Sequence, residues 1–145
     1  MRLQELRALL AAHGLAPQHR LGQNFLVDPA LLAAILRDAG VLPGEPVIEI
    51  GPGAGALTRL LLDCGARVTA GEVDHGLCRL LRERFAPELA AGSLALIEGD
   101  ARAAHERLHP DLEGCWAAWS AAGTPPRLVA NLPYAISGPF LARLP

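Results

Sequence analysis

The sequence contains no lysine, so every fixed positive side-chain charge is a guanidinium. Its 13 arginines face 15 acidic residues, a formal net charge of −2. That balance is not the footprint of a broadly basic nucleic-acid binder, and any basic surface must be local. Among the first forty residues Arg2, Arg7, Arg20 and Arg37 outnumber Glu5, Asp28 and Asp38 only slightly. Cysteine is scarce: Cys64, Cys78 and Cys115 are odd in number, far apart and without a Cys-x-x-Cys pair. That spacing excludes a disulfide framework and a cysteine-rich zinc site. The opening residues mix charged and apolar side chains and lack the apolar stretch of a signal peptide. No apolar run reaches the length of a membrane span. Internal repeats and low-complexity tracts are absent too. A reduced, cytoplasmic setting without membrane attachment is the expectation.

What is present is apolar mass. Hydrophobic residues make up 51% of 145 positions, enough for one domain over residues 1–145. A domain near this size buries roughly 68–70% of the surface its unfolded chain exposes. Leu3, Leu6, Leu9 and Leu10 recur at helical spacing, and Gly14 follows as a stop. Asp28-Pro29 reads as an N-cap with proline at the first helical position, opening a helix that Gly40 ends. After the turn Pro43-Gly44-Glu45-Pro46, short apolar strands are expected at 47–50, 67–72, 94–97 and 127–130. Helices are expected at 57–64 and 76–85 between them, with a helix and a loop somewhere in 101–126. Strands joined by helical crossovers must run parallel. The expected fold is α/β, a doubly wound, mainly parallel sheet. The chain stops at Pro145 inside an expected helix after the fourth strand, so the sheet is expected to be incomplete at the C-terminus.

The chemistry-bearing residues gather at expected strand ends. Gly51-Pro52-Gly53-Ala54-Gly55 follows the first strand and opens a helix. Glycines there let the backbone turn sharply and approach a ligand, at the sheet edge where doubly wound folds bind ligands. Leu57 stands where a dinucleotide loop would have its last glycine, which weakens a nicotinamide reading. Glu72 ends the second strand about 20 residues on, the distance at which an acid binds ribose hydroxyls. Asp74 is placed to cap the next helix. Asp100 ends the third strand; it can accept from an adenine amino group, or cap the helix that follows. Asn131-Leu132-Pro133-Tyr134 ends the fourth. An aryl amine is a weak nucleophile because its lone pair is delocalised into the ring. The Asn131 side-chain oxygen and the Leu132 carbonyl can hold both amine hydrogens and aim the nitrogen, which is catalysis by positioning. Pro133 stiffens the turn, and Tyr134 offers a face for an extruded base. Taken alone, the same four residues also suit a strand-ending turn with a core tyrosine.

Five stretches in this order resemble the ribosomal RNA adenine N6,N6-dimethyltransferase family, of the bacterial small-subunit, kasugamycin-resistance type. They are residues 21–26 (Leu-Gly-Gln-Asn-Phe-Leu), 49–58 (Glu-Ile-Gly-Pro-Gly-Ala-Gly-Ala-Leu-Thr), Glu72-Val73-Asp74, Gly99-Asp100-Ala101 and 131–134. The resemblance implies a Rossmann-like methyltransferase fold and S-adenosyl-L-methionine as methyl donor. It implies cofactor contacts at Asn24, Leu26, Gly51, Gly53, Glu72, Asp100 and Asn131. It assigns orientation of the adenine amine to Asn131 and Leu132 and stacking to Tyr134. The implied substrate is a pair of adjacent adenines in small-subunit RNA of the immature 30S particle, acted on by a monomer. It also implies a helical C-terminal domain, which is expected to lie outside these 145 residues. Two other readings remain: a non-catalytic RNA-binding assembly factor, and an erythromycin-resistance-type methylase of large-subunit RNA. Residues 105–109 (His-Glu-Arg-Leu-His) match a zinc-peptidase pattern. Pro110 follows at once and no later histidine exists, so His109 is expected at a helix end and no metal site is expected.

Overall fold

The computed structural model describes residues 3–15, 28–100 and 108–130. Six helices and four strands follow one another there: α1 (Leu3–Ala12), α2 (Pro29–Ala39), β1 (Pro46–Ile50), α3 (Ala56–Asp63), β2 (Arg67–Glu72), α4 (His75–Arg84), α5 (Ala86–Ala91), β3 (Leu94–Glu98), α6 (Pro110–Ala121) and β4 (Arg127–Ala130). The local signals act as the sequence suggests. The Asp28 carboxylate accepts the N–H groups of Ala30 and Leu31, and Gly40 closes α2 in the left-handed region. Pro46 belongs to β1 rather than to the preceding turn.

The four strands form one parallel sheet in the order β3-β2-β1-β4. Alternation along β1 divides the core. Val47 joins Val68, Ala70, Leu94 and Val129 beneath Leu32 of α2, Leu57 and Leu61 of α3, Leu81 of α4 and Phe85. Ile48 and Ile50 face the other way, against Leu108 and Leu112. Helices therefore cover both faces, as a doubly wound sheet requires. Trp116 and Trp119, to which the sequence assigned no role, help α6 cover the second face together with Ile97 and Leu128. Leu112 is fully buried there, a contribution of about 2 kcal/mol. Outside α4, Leu6 and Leu10 of α1 pack on Leu77, Leu80 and the Ala54 methyl.

One element was not anticipated. The helix expected at 76–85 spans His75–Arg84, and a separate short helix, α5, follows it. The break falls at Phe85, just before Ala86-Pro87, because a proline resists continuing the helix that precedes it.

Candidate functional site

The chain crosses from β1 to β2 to β3 in one direction, then returns to place β4 on the free side of β1. The reversal makes a topological switch point between β1 and β4, and doubly wound sheets bind ligands at the carboxyl ends of the strands at such a point. The last residues of the two strands, Ile50 and Ala130, are register partners. The glycine loop begins directly after Ile50, and in sequence Asn131 directly follows Ala130. Asn131, Leu132, Pro133 and Tyr134 lie outside the described residues, as do Asn24 and Leu26.

Three positive φ angles shape the loop: 70° at Gly51, 58° at Gly53 and 81° at Gly55. The Gly51 N–H donates to the Gly71 carbonyl at 2.9 Å and the Gly55 N–H to the Pro52 carbonyl at 2.8 Å. Gly55 is the N-cap of α3 and has no side chain to cap it. The first N–H to bond back along α3 is that of Arg59, to the Gly55 carbonyl. The preceding amides are thus left without intrahelical acceptors, at the positive end of the helix dipole.

Glu72 and the loop are brought together. The Glu72 side chain is buried at the end of β2. Its Oε2 accepts the Gly53 N–H at 3.1 Å. Its Oε1 accepts the N–H groups of Val73 at 2.9 Å and Asp74 at 3.0 Å. Burial pushes its pKa up, and the three N–H groups oppose that shift. Sequence spacing pointed only to a ribose acceptor; the tie to Gly53 spans 19 residues and leaves no local signal. A carboxylate offers about four acceptor directions, so three N–H bonds leave Oε2 room for a hydroxyl donor. Glu72→Gln would turn an amide donor toward backbone donors. We expect it to weaken nucleoside-cofactor affinity at least about tenfold; unchanged affinity by calorimetry would contradict the dual role.

Asp74 caps α4 as the sequence suggests, accepting the Leu77 N–H at 2.9 Å. Asp100 is exposed and follows β3 at the same sheet edge. Nearby, Glu98 is held by Arg82 at 2.7 Å and by a short contact with His75 Nδ1. Cys78 lies buried behind the site, its thiol pushed up to about 12, chiefly by desolvation, so it is not a reactive thiolate.

Beneath the loop, Glu49 of β1 is buried and accepts the Thr58 hydroxyl at 2.7 Å. Desolvation pushes its pKa up to about 7; the Thr58 bond opposes this and the Glu72 charge adds to it. The ordinary value is 4.5. Between these two pH values the folded protein binds the extra proton, so stability falls as pH rises. Below the window the group contributes nothing; above about pH 7 its cost, about 3 kcal/mol at 1.36 kcal/mol per unit, is fully present. Glu49→Gln keeps an acceptor for Thr58 and removes the charge. The variant should be the more stable form at pH 8 and lose that advantage near pH 4.5. Identical pH profiles in denaturant melts would contradict the buried-acid account.

The His-Glu-x-x-His reading needs a correction. His109 opens a helix rather than ending one: it is the N-cap of α6, with its Nδ1 accepting the Asp111 N–H at 3.3 Å. His105 and Glu106 lie outside the described residues. Among the described residues no group of three or more His, Cys, Asp or Glu side chains is arranged to hold a metal. No helix among them is long and apolar enough to cross a membrane.

A parallel sheet with this strand order, a glycine loop after β1 and an acid closing β2 defines the class: a Rossmann-like methyltransferase fold. The chain belongs to the ribosomal RNA adenine dimethylase family, whose sequence profile matches residues 15–144. It is 49% identical over 138 residues to ribosomal RNA small subunit methyltransferase A of Deinococcus radiodurans, covering 95% of this chain and 41% of that protein. Among solved structures it is similar to the 23S rRNA methyltransferase ErmE, with a TM-score of 0.60 and 30% identity over 82% of this chain and 41% of that one. A dimethyladenosine transferase from Plasmodium falciparum gives a TM-score of 0.58 and 27% identity, over 82% and 37%. The chain spans less than half the length of the curated relatives it matches.

Proposed function

We propose that the protein transfers methyl groups from S-adenosyl-L-methionine to N6 of two adjacent adenines in small-subunit ribosomal RNA, acting as a cytoplasmic monomer on the immature 30S particle during ribosome biogenesis. The observation that carries this reading is the bond between the buried Glu72 carboxylate and the Gly53 N–H at the switch point. It supports the reading because a carboxylate with acceptor capacity to spare for ribose hydroxyls lies beside a loop with glycine at three of its five positions, which suits a nucleoside cofactor. Gly51, Gly53 and Glu72 would hold the cofactor, with Asn24, Leu26, Asp100 and Asn131 completing its site. Bound there, the cofactor supplies an electrophilic methyl on a sulfonium.

The remaining work is positioning. In the first transfer the Asn131 side-chain oxygen and the Leu132 carbonyl accept the two amine hydrogens and turn the nitrogen lone pair toward the methyl; in the second, the one remaining hydrogen is accepted by one of the two, and stacking of the base supplies the rest of the orientation. Pro133 keeps the two acceptors in register, and Tyr134 stacks the extruded base. After the N–C bond forms the nitrogen is cationic and acidic, so its proton leaves to water without a dedicated strong base. The match to small subunit methyltransferase A favours small-subunit RNA, while the likeness to ErmE keeps a large-subunit substrate as the rival. Incubating the full-length protein with labelled donor and either unmethylated small subunits or large-subunit RNA tests both. Label in the small subunit supports the proposal. Label in the large subunit transfers the assignment to the rival, and tight small-subunit binding without label points to an assembly factor.

A further inference from the structure

The glycine loop is also gripped from the α4 side, by a residue to which no role has been given. Arg84, in the last turn of α4, donates from Nη1 to the Ala54 carbonyl at 2.8 Å, thirty residues away. Its guanidinium lies 5.4 Å from the centroid of the Phe85 ring, over which Arg59 also sits at 4.8 Å. Phe85 is fully buried. Arg59 is in turn held by Glu88 at 2.7 Å. The grip is therefore built on a fixed aromatic platform rather than on a loose surface arginine.

The Ala54–Gly55 peptide needs such a grip. It is held at its N–H by the Pro52 carbonyl and at its carbonyl by Arg84; with glycine on either side of Ala54, the flanking backbone adds little confinement of its own. A rotated Ala54 carbonyl would turn an acceptor oxygen toward the site. The only anionic group on S-adenosylmethionine is the carboxylate of its amino-acid tail, and anions favour the loop and helix N-terminus that offer N–H groups. An inward carbonyl would repel that carboxylate. The Ala54 methyl is already held by Leu6 and Leu10 of α1; Arg84 fixes the carbonyl.

Building on the donor-binding reading above, we propose that Arg84 is a positioning residue for the amino-acid tail of the methyl donor. It holds the Ala54 carbonyl toward α4, so that the first amides of α3, which have no intrahelical acceptors, meet the tail carboxylate rather than an acceptor oxygen.

The test compares S-adenosylhomocysteine, which has the tail, with 5′-methylthioadenosine, which keeps the nucleoside and sulfur but lacks it. Both are titrated calorimetrically into the full-length protein and its Arg84→Met variant. Arg84→Met should weaken S-adenosylhomocysteine about tenfold, or 1.4 kcal/mol, while leaving 5′-methylthioadenosine within about twofold. Arg84→Lys, with a single donor nitrogen and the same charge, should give an intermediate ratio of the two affinities. A merely structural Arg84 would weaken both ligands together; that result, or an unchanged S-adenosylhomocysteine affinity, overturns the proposal. If the methionine variant fails to fold by circular dichroism, the lysine variant decides, and an unchanged ratio overturns the proposal. If the unmodified protein binds neither ligand, the donor-binding reading itself falls and takes this inference with it.

Discussion

Asn131→Ala in the full-length protein is expected to reduce methyl transfer to adenine at least about a hundredfold while leaving most of the donor affinity intact, because misplacing a reacting group by about 1 Å can cost 10²-fold. The substitution removes one of two acceptors proposed to hold the amine and leaves the Leu132 carbonyl alone. With one acceptor gone the amine loses much of its orientation, and its lone pair returns more readily to conjugation with the ring. In the proposed donor site Asn131 is one contact of several, and most come from other strand ends, the loop after β1 and Glu72 at the end of β2. Donor affinity by calorimetry and single-turnover methylation therefore separate. Normal turnover would remove Asn131 from the chemistry, and equal loss of both would make it a donor-binding residue instead.

Gly55→Ala should have the largest effect on the fold. A Cβ at Gly55 would lie 2.4 Å from Phe85 Cε2, 2.9 Å from its Cζ and 3.0 Å from Leu81 Cδ2. Phe85 is fully buried and carries the guanidiniums of Arg59 and Arg84 on its ring, so it has little room to retreat. The backbone adds to the clash, since φ is 81° at this residue. Overpacking of about 1–3 kcal/mol and a left-handed alanine at about 1–2 kcal/mol together give roughly 3 kcal/mol. That is a large share of the 5–15 kcal/mol typical of a domain. Chemical denaturation should show a midpoint shift of that size, together with lost donor binding. A variant of unchanged stability would mean that Phe85 and the loop are less tightly fitted than the contacts imply.

The strands and most helices were legible because their signals are local. Asp28-Pro29 and Gly40 bound α2, and the four apolar runs became β1 to β4 nearly residue for residue. The parallel sense followed from the helical crossovers. The strand order was not spelled out by any local pattern, because placing β4 beside β1 depends on pairings such as Ile50 with Ala130, 80 positions apart in sequence. The end of α4 was read to within a residue, but α5 was missed: its six residues, with Pro87 in the first turn and Gly92 as the C-cap, are too short to show a helical period. In the site, Gly51, Gly53 and Glu72 were found as three separate features, and the structure joins two of them by a hydrogen bond. Arg84 carried no sequence signal at all. An arginine in the last turn of a helix is ordinary, and only tertiary contact shows that it reaches the Ala54 carbonyl. The paired histidines erred the other way: a three-letter pattern suggested a shared helix face, yet His109 begins α6.

The central claim is that the glycine loop, Glu72 and the strand-end tetrapeptide serve one reaction, methylation of adenine N6 in small-subunit RNA. Its most direct test is mass spectrometry of nucleosides from unmethylated small subunits incubated with the full-length protein and S-adenosylmethionine. The account predicts N6,N6-dimethyladenosine at two adjacent positions, and none with the Asn131→Ala variant. Donor binding without any methylated adenine in the small-subunit RNA would contradict it.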